Sequence, residues 1–336
     1  LQYSTICRPC KAQFRVVASY LFHIVKFVDR NGKTGDDGIS QSTFERSNYP
    51  MQITKQELRD FAAQIGVDLI GFAARDRFAD VPAEINPFSI APEAKTVIVM
   101  GKRITRGTLR GTEEGTNFSD YNLFGIQWLD MDYVAEGCYN LVRYIEDRGW
   151  EAVPVFSNPS AVAGYGVPVR DGAPVPDVIP DFNYAAVACG LGVIGVNGLF
   201  LSKKYGPRQK LQMIITDAEF ESDPLVTQTI CDQCGSCQRG CPLGAISQET
   251  ILLDVCGLKM PVAEVDASLC RMCKNGAMGN RVSSRGEPDR CAALCGRNCM
   301  IHLEEAGLIE NTFENAFRRR KTWAIDIRGK NVEPQE

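Results

Sequence analysis

Histidine is almost missing from this chain: His23 and His302 are the only two among 336 residues. Imidazole, the usual acid–base group and metal ligand near neutral pH, therefore has little part in the chemistry. An excess of one charge is missing too. The 37 Lys and Arg stand against 41 Asp and Glu, a net charge of −4, so nucleic acid is not an expected partner and neither is an anionic lipid surface. Long apolar runs are also lacking. The best stretch, Phe14 to Val28, is broken by His23 and Lys26 and falls short of the roughly 20 residues of a bilayer span. No small-residue cleavage site follows it, so no secretion signal and no membrane association are expected.

Cysteine is what the chain has in excess. There are 14, and ten of them lie between Cys231 and Cys299. A disulfide scaffold accounts for such density in a short secreted chain that cannot bury a core, which this is not. Metal ligation by thiolates is the better reading, and it implies a reducing, cytoplasmic location.

The spacing sharpens that reading. Cys231-x2-Cys234-x2-Cys237-x3-Cys241-Pro242 wraps three thiolates round one corner of an iron–sulfur cubane, and in two-cluster ferredoxins the fourth, Pro-followed cysteine ligates the other cluster. A second set is then required downstream. Pseudo-symmetry gives the first 4Fe-4S cluster Cys231, Cys234, Cys237 and Cys299. The second takes Cys241, Cys291, Cys295 and either Cys270 or Cys273, with Cys270 adopted; Cys256 is left over. A rival reading is a zinc ribbon on Cys270-x2-Cys273-x17-Cys291-x3-Cys295, which leaves Cys241 and Cys299 without a role.

Upstream, patterning predicts an α/β layer domain over residues 51 to 222. Thr54 and Glu57 form a capping box ahead of Leu58, Phe61, Ala62 and Ile65, with Gly66 as the stop. Val67 to Ala73, Thr96 to Met100, Val153 to Phe156 and Leu211 to Thr216 read as strands, and Leu129 to Arg148 as a long helix closed by Gly149. The Pro- and Gly-rich stretch Ser157 to Asp181 reads as an active-site lid. An α+β two-cluster ferredoxin-like domain is expected over 223 to 302, and a C-terminal helix and tail over 303 to 336, with Arg318 to Lys321 at the helix end. Residues 1 to 50, including Cys7 and Cys10, fit no domain and read as a poorly ordered or non-native extension.

Gly190-Leu-Gly192-Val-Ile-Gly195-Val-Asn197-Gly198, then Lys204-Tyr-Gly206-Pro207-Arg208-Gln-Lys-Leu211 and Thr216-Asp217, precede the cluster cysteines in an order that resembles the cobalamin-dependent iron–sulfur reductases, the reductive dehalogenases and epoxyqueuosine reductases. Val265-Asp266-Ala267 and Gly279-Asn280-Arg281 are similar to the latter, the Gly-Pro-Arg-Gln-Lys-Leu stretch to the former. The resemblance implies an α/β corrin-binding domain whose cofactor tail lies along Gly190, Leu191, Gly192, Gly195, Asn197, Gly206, Pro207 and Arg208. It implies two 4Fe-4S clusters, base-off cobalamin, a low-potential donor such as ferredoxin or flavodoxin, and a small organic substrate. No Asp-x-His-x-x-Gly motif is present to offer cobalt a protein imidazole. Where the family commonly has a basic residue this chain has Val196, and a long C-terminal extension seen in some epoxyqueuosine reductases is lacking. With imidazole set aside, Asp181 and Tyr184 are the candidate catalytic proton donors, followed by Asp177 and Tyr165; a helix cap and a packed ring are their alternative roles. Other readings are an epoxyqueuosine reductase acting on tRNA and a non-catalytic iron–sulfur electron-transfer protein.

Overall fold

Thr54 opens the fold with the cap its sequence predicts. Its hydroxyl accepts from the Glu57 amide while the Glu57 carboxylate accepts from the Thr54 amide, which satisfies two otherwise orphaned donors of helix α1 (Lys55–Gln64). Leu58 and Ala62, one turn apart, are buried on its inner face. The computed structural model describes residues 51–155, 166–280, 284 and 286–334, which fall in one unit, Asn48–Glu336. The expectations for residues 1 to 50 and for Tyr165 lie outside the described residues.

The central sheet has the order β1-β2-β6-β3, with β1 Leu69–Ala74, β2 Thr96–Arg103, β3 Ala152–Val155 and β6 Gln209–Thr216. Strands alternate with helices along the chain, yet every pairing is antiparallel. The short helix α2 (Arg110–Glu113) follows β2. Apolar residues run without interruption through β2 because both sheet faces are covered. Ile98 and Met100 enter a core with α1 and α3 (Ala135–Glu146), while Val97 and Val99 enter the opposite core with α4 (Phe182–Ala188). Each such buried side chain contributes about 1.5–3 kcal/mol. The long helix read from Leu129 begins as wide π-type turns, Leu129–Val134, and becomes regular only at Ala135.

Hairpin β4–β5 (Gly192–Ile194 and Phe200–Ser202) links α4 to β6. The cysteine-rich part comprises α5 (Ser236–Arg239), the hairpin β7–β8 (Ile246–Val255 and Leu258–Val265), α6 (Ala267–Arg271) and α7 (Leu294–Glu305). Cys256 and Gly257 make the β7–β8 turn with φ of 54° and 87°, the geometry a two-residue hairpin needs. Helix α7 packs on both cores, through Met300 and Ile301 on one side and Leu303 on the other.

The expected helix carrying Arg318 to Lys321 at its end does not form; α7 stops at Glu305 and the described chain beyond it is irregular apart from the small hairpin β9–β10 (Ala324–Ile325 and Asn331–Val332). Those cations pair instead. The Arg318 guanidinium donates to Glu113 at 2.6 Å, and Arg320 pairs with Glu114.

Candidate metal centres and the adjoining cleft

The first cysteine set converges as expected. Cys231, Cys234, Cys237 and Cys299 line one small cavity together with Gly195, Val196, Asn197 and His302. The loop through Cys231 and Cys234 uses φ of 59° at Gln233 and 75° at Gly235 to fold tightly, Cys237 rides on α5, and Cys299 comes from α7. His302 Nε2 lies 2.7 Å from Asp232 Oδ2. The one mixed ligand group among the described residues, Asp232, Cys234 and His302, shares Cys234 with this cavity and is no separate site.

A second small cavity is lined by Cys241, Cys270, Cys273 and Cys295. Cys241 has crossed over from the first loop, as the Pro-followed position requires. Cys291 does not line this cavity, which corrects its expected place in the second set. Its amide donates to Asp289 Oδ1 at 3.1 Å and its thiol to the Pro207 carbonyl at 3.4 Å, facing an open cleft instead. Cys270 and Cys273 both belong here, so the choice between them dissolves. The zinc-ribbon quartet, which needs Cys291, is not assembled.

Two cavities of nearly equal size, each with four thiols, suit one kind of occupant. Burial and neighbouring sulfurs push Cys237 up to about 12 and Cys299 well above the usual thiol range; burial does the same to Cys270, up to about 12, and raises Cys295. Four thiolates do not share such a space without cations between them, and soft thiolate sets select iron–sulfur clusters or zinc. The residues fit two clusters. Helix α7 carries Cys295 and Cys299 one turn apart, the former toward the second cavity and the latter toward the first. Cys237 and Cys241 repeat the same four-residue step across α5.

Beside them lies a larger open cleft of about 230 Å³, lined by Lys210, Asp289, Arg290, Asp130 and Gly198 among others. Lys210 Nζ donates to Asp289 Oδ2 at 2.6 Å, and the wholly buried Tyr121 hydroxyl donates to Asp289 Oδ1 at 2.6 Å. Burial opposes both charges of the pair. Even so, each partner overrides it, holding Asp289 below and Lys210 above its ordinary range. Tyr121, buried beside the Asp289 carboxylate, is raised well above the usual phenol range. Arg290 lines both the cleft and the second cavity, and it donates to the carbonyl of Asn197, a residue that lines the first, at 2.7 Å.

The expected catalytic pair is not brought to this cleft. Asp181 caps α4, its carboxylate accepting from the amides of Asn183 and Tyr184 at 2.8 and 3.0 Å. The Tyr184 hydroxyl donates to the Arg77 carbonyl at 3.0 Å and its ring packs on Phe78. Of the eight expected corrin contacts, Pro207 lines the cleft, while Gly195 and Asn197 line the first cysteine cavity. Gly190 and Gly192 serve packing: a Cβ on either would run into the Pro224 or Leu201 carbonyl. Leu191 packs in the core, Gly206 forms a tight turn at φ 59°, and the buried Arg208 donates to Ile104 and Asn311. No described imidazole lines the cleft. The cleft residues Lys210, Asp289 and Arg290 escaped the reading of the sequence, although Lys210 sits within the Arg-Gln-Lys-Leu stretch and Asp289-Arg290 directly precedes Cys291.

Two cysteine quartets beside an antiparallel α/β core are the ligand sets that iron–sulfur clusters take. Comparison with known proteins narrows this. No family model matches the chain. It is 29% identical over 119 residues to tetrachloroethene reductive dehalogenases of Desulfitobacterium hafniense and Dehalobacter restrictus, a match covering 34% of this chain and 18% of each relative. It thus spans less than a fifth of their length. A solved reductive dehalogenase, described as performing B12-dependent dehalogenation, superposes with a TM-score of 0.50 at 19% identity over 80% of this chain and 35% of that one. Epoxyqueuosine reductase from Streptococcus thermophilus gives 0.39 at 21% identity over 61% and 55%. Over those 119 residues the chain is similar to the reductive dehalogenases, in agreement with the resemblance read from its sequence. Among the described residues, no helix is long and apolar enough to cross a membrane.

Proposed function

We propose that the chain is a reductase that stores electrons on two 4Fe-4S clusters and spends them on a small organic substrate in the cleft between Lys210 and Arg290, in the manner of a reductive dehalogenase. The observation that carries the reading is the pair of similar cysteine cavities, the second sharing Arg290 with that cleft and the first reached from the same Arg290 through its bond to the Asn197 carbonyl. Cys231, Cys234, Cys237 and Cys299 would hold one cluster, and Cys241, Cys270, Cys273 and Cys295 the other; when bound, such clusters supply single electrons at low potential. A base-off corrin, the cofactor implied by the resemblance, would supply a low-valent metal for the bond-breaking step. Its tail contacts at Gly190, Gly192 and Arg208 do not fit, since those residues are consumed by packing, so the cleft around Gly198 and Pro207 is the remaining place for it.

Reducing one carbon–heteroatom bond consumes two electrons and one proton. Lys210 holds a proton at Nζ on the cleft wall, Asp289 fixes that ammonium, and Tyr121 orients the carboxylate from behind. This replaces Asp181 and Tyr184 as the proton source. The near-balanced charge favours a small substrate over tRNA, and the donor implied by the resemblance is a low-potential carrier protein. Anaerobic reconstitution with iron, sulfide and cobalamin, followed by the visible spectrum, tests the reading: bound corrin together with cluster absorption supports it, whereas clusters without corrin make the chain an electron carrier.

A further inference from the structure

Asn197 is buried to 1% exposure and lines the first cysteine cavity. Its two acceptors are spoken for. Its Oδ1 accepts from the Leu199 amide at 3.1 Å, and its backbone carbonyl accepts from Arg290 at 2.7 Å. The first of these contacts fixes which way round the side-chain amide sits, because only the oxygen can face an N–H. The NH2 group is left buried with no partner. A buried donor in that state costs about 1–3 kcal/mol, and native folds rarely tolerate one unless something unseen receives it.

The second cavity carries the same device with its partner already in place. Asn275 is fully buried there, and its backbone N and its Nδ2 lie 3.4 and 3.8 Å from Cys273 Sγ; the Ala245 amide likewise reaches Cys241 Sγ at 3.3 Å. In the first cavity, the Cys237 amide faces its own sulfur and the Ser236 hydroxyl lies 3.4 Å from Cys234 Sγ, while among the described contacts no side-chain amide there yet reaches a sulfur. We infer that the Asn197 side-chain NH2 donates a hydrogen bond to a sulfur of the cluster held by Cys231, Cys234, Cys237 and Cys299, and that this bond sets the cluster's reduction potential. The inference rests on the two-cluster reading above. It moves Asn197 from the corrin-tail role implied by the resemblance to a positioning role at a metal centre.

Hydrogen bonds to cluster sulfurs favour the reduced, more negative state and so raise the potential. Asn197→Leu removes the donor, and Asn197→Asp removes it while keeping an oxygen for the Leu199 amide, which protects the local turn. Both should bind as much iron as wild type. In an anaerobic redox titration followed by electron paramagnetic resonance, both should lower one midpoint and leave the other in place. The expected shift is on the order of tenfold in the reduced-to-oxidised ratio at fixed potential, about 59 mV for one electron. The shifted signal should be the one that persists unaltered in a Cys273→Ser background. Full iron with both midpoints unmoved overturns the inference alone, as does a shift confined to the signal altered by Cys273→Ser. Wild-type protein that binds no iron overturns the two-cluster reading and this inference with it.

Discussion

The first cysteine site takes three ligands from one seven-residue stretch and borrows its fourth from α7, whereas the second collects its four from just beyond α5, from α6 and its C-terminus, and from α7. Their surroundings differ as well. The first abuts Val196 and the unpartnered amide of Asn197, while the second has Asn275 tied both to Cys273 and to the neighbouring strand β9 through Ile325. The contrast separates what ligand spacing encodes, a local loop, from what only packing decides, the choice among distant thiols.

The largest expected effect breaks the crossover between the sites. Cys241→Ser should abolish the second cluster and disturb the first, since the loop of one supplies the ligand of the other; iron should fall from roughly eight per chain to four or fewer. Retention of full iron would mean that the two sites are wired independently.

Next comes the helix that serves both sites. Arg297 on α7 is fully buried and donates to Glu113 at 2.7 Å, and Arg318 holds the other oxygen of that carboxylate. Arg297→Met should destabilise the fold by about 3 kcal/mol, the lower end for a broken buried pair, because Arg318 still serves Glu113. Urea denaturation measures it, and a change under 1 kcal/mol would show that the pair contributes little.

The sequence made the first site legible and the second only partly so. Cys231 to Cys241 act through local chain geometry, so spacing alone assigns them. Cys291 misled because it stands four residues before Cys295, imitating the ligand step, when the true mirror of Cys237-x3-Cys241 is Cys295-x3-Cys299. Applied strictly, that symmetry leaves Cys270 and Cys273 for the second site and excludes Cys291. The strands and α1 were legible because a capping box and uninterrupted apolar runs are local signals. Antiparallel pairing was not, since nothing within a single strand states its neighbour's direction. Lys210 and Asp289 meet across 79 residues, a contact with no local trace, and Asp181 looked catalytic for the same reason that it caps a helix.

The Lys210–Asp289 pair sharpens the contrast between cleft and clusters through pH. Asp289 is held below its unfolded value, so its contribution is present above about pH 4 and is lost as pH falls through the folded value. Lys210 is held above its own, so its contribution is present below about pH 10 and is lost as pH rises further. Asp289→Asn should flatten the acid limb of melting temperature against pH relative to wild type. Superimposable acid limbs would contradict the pairing. The smallest effect is expected of Tyr184→Phe, which removes one hydrogen bond to Arg77 and should cost about 1 kcal/mol in urea denaturation while leaving turnover unchanged.

Iron analysis of two single variants tests the central claim most directly. Cys291→Ser should retain roughly eight irons and Cys273→Ser roughly four, because only Cys273 lines the second cavity. The reverse result, iron lost with Cys291 and kept without Cys273, would contradict the assignment of the two sites.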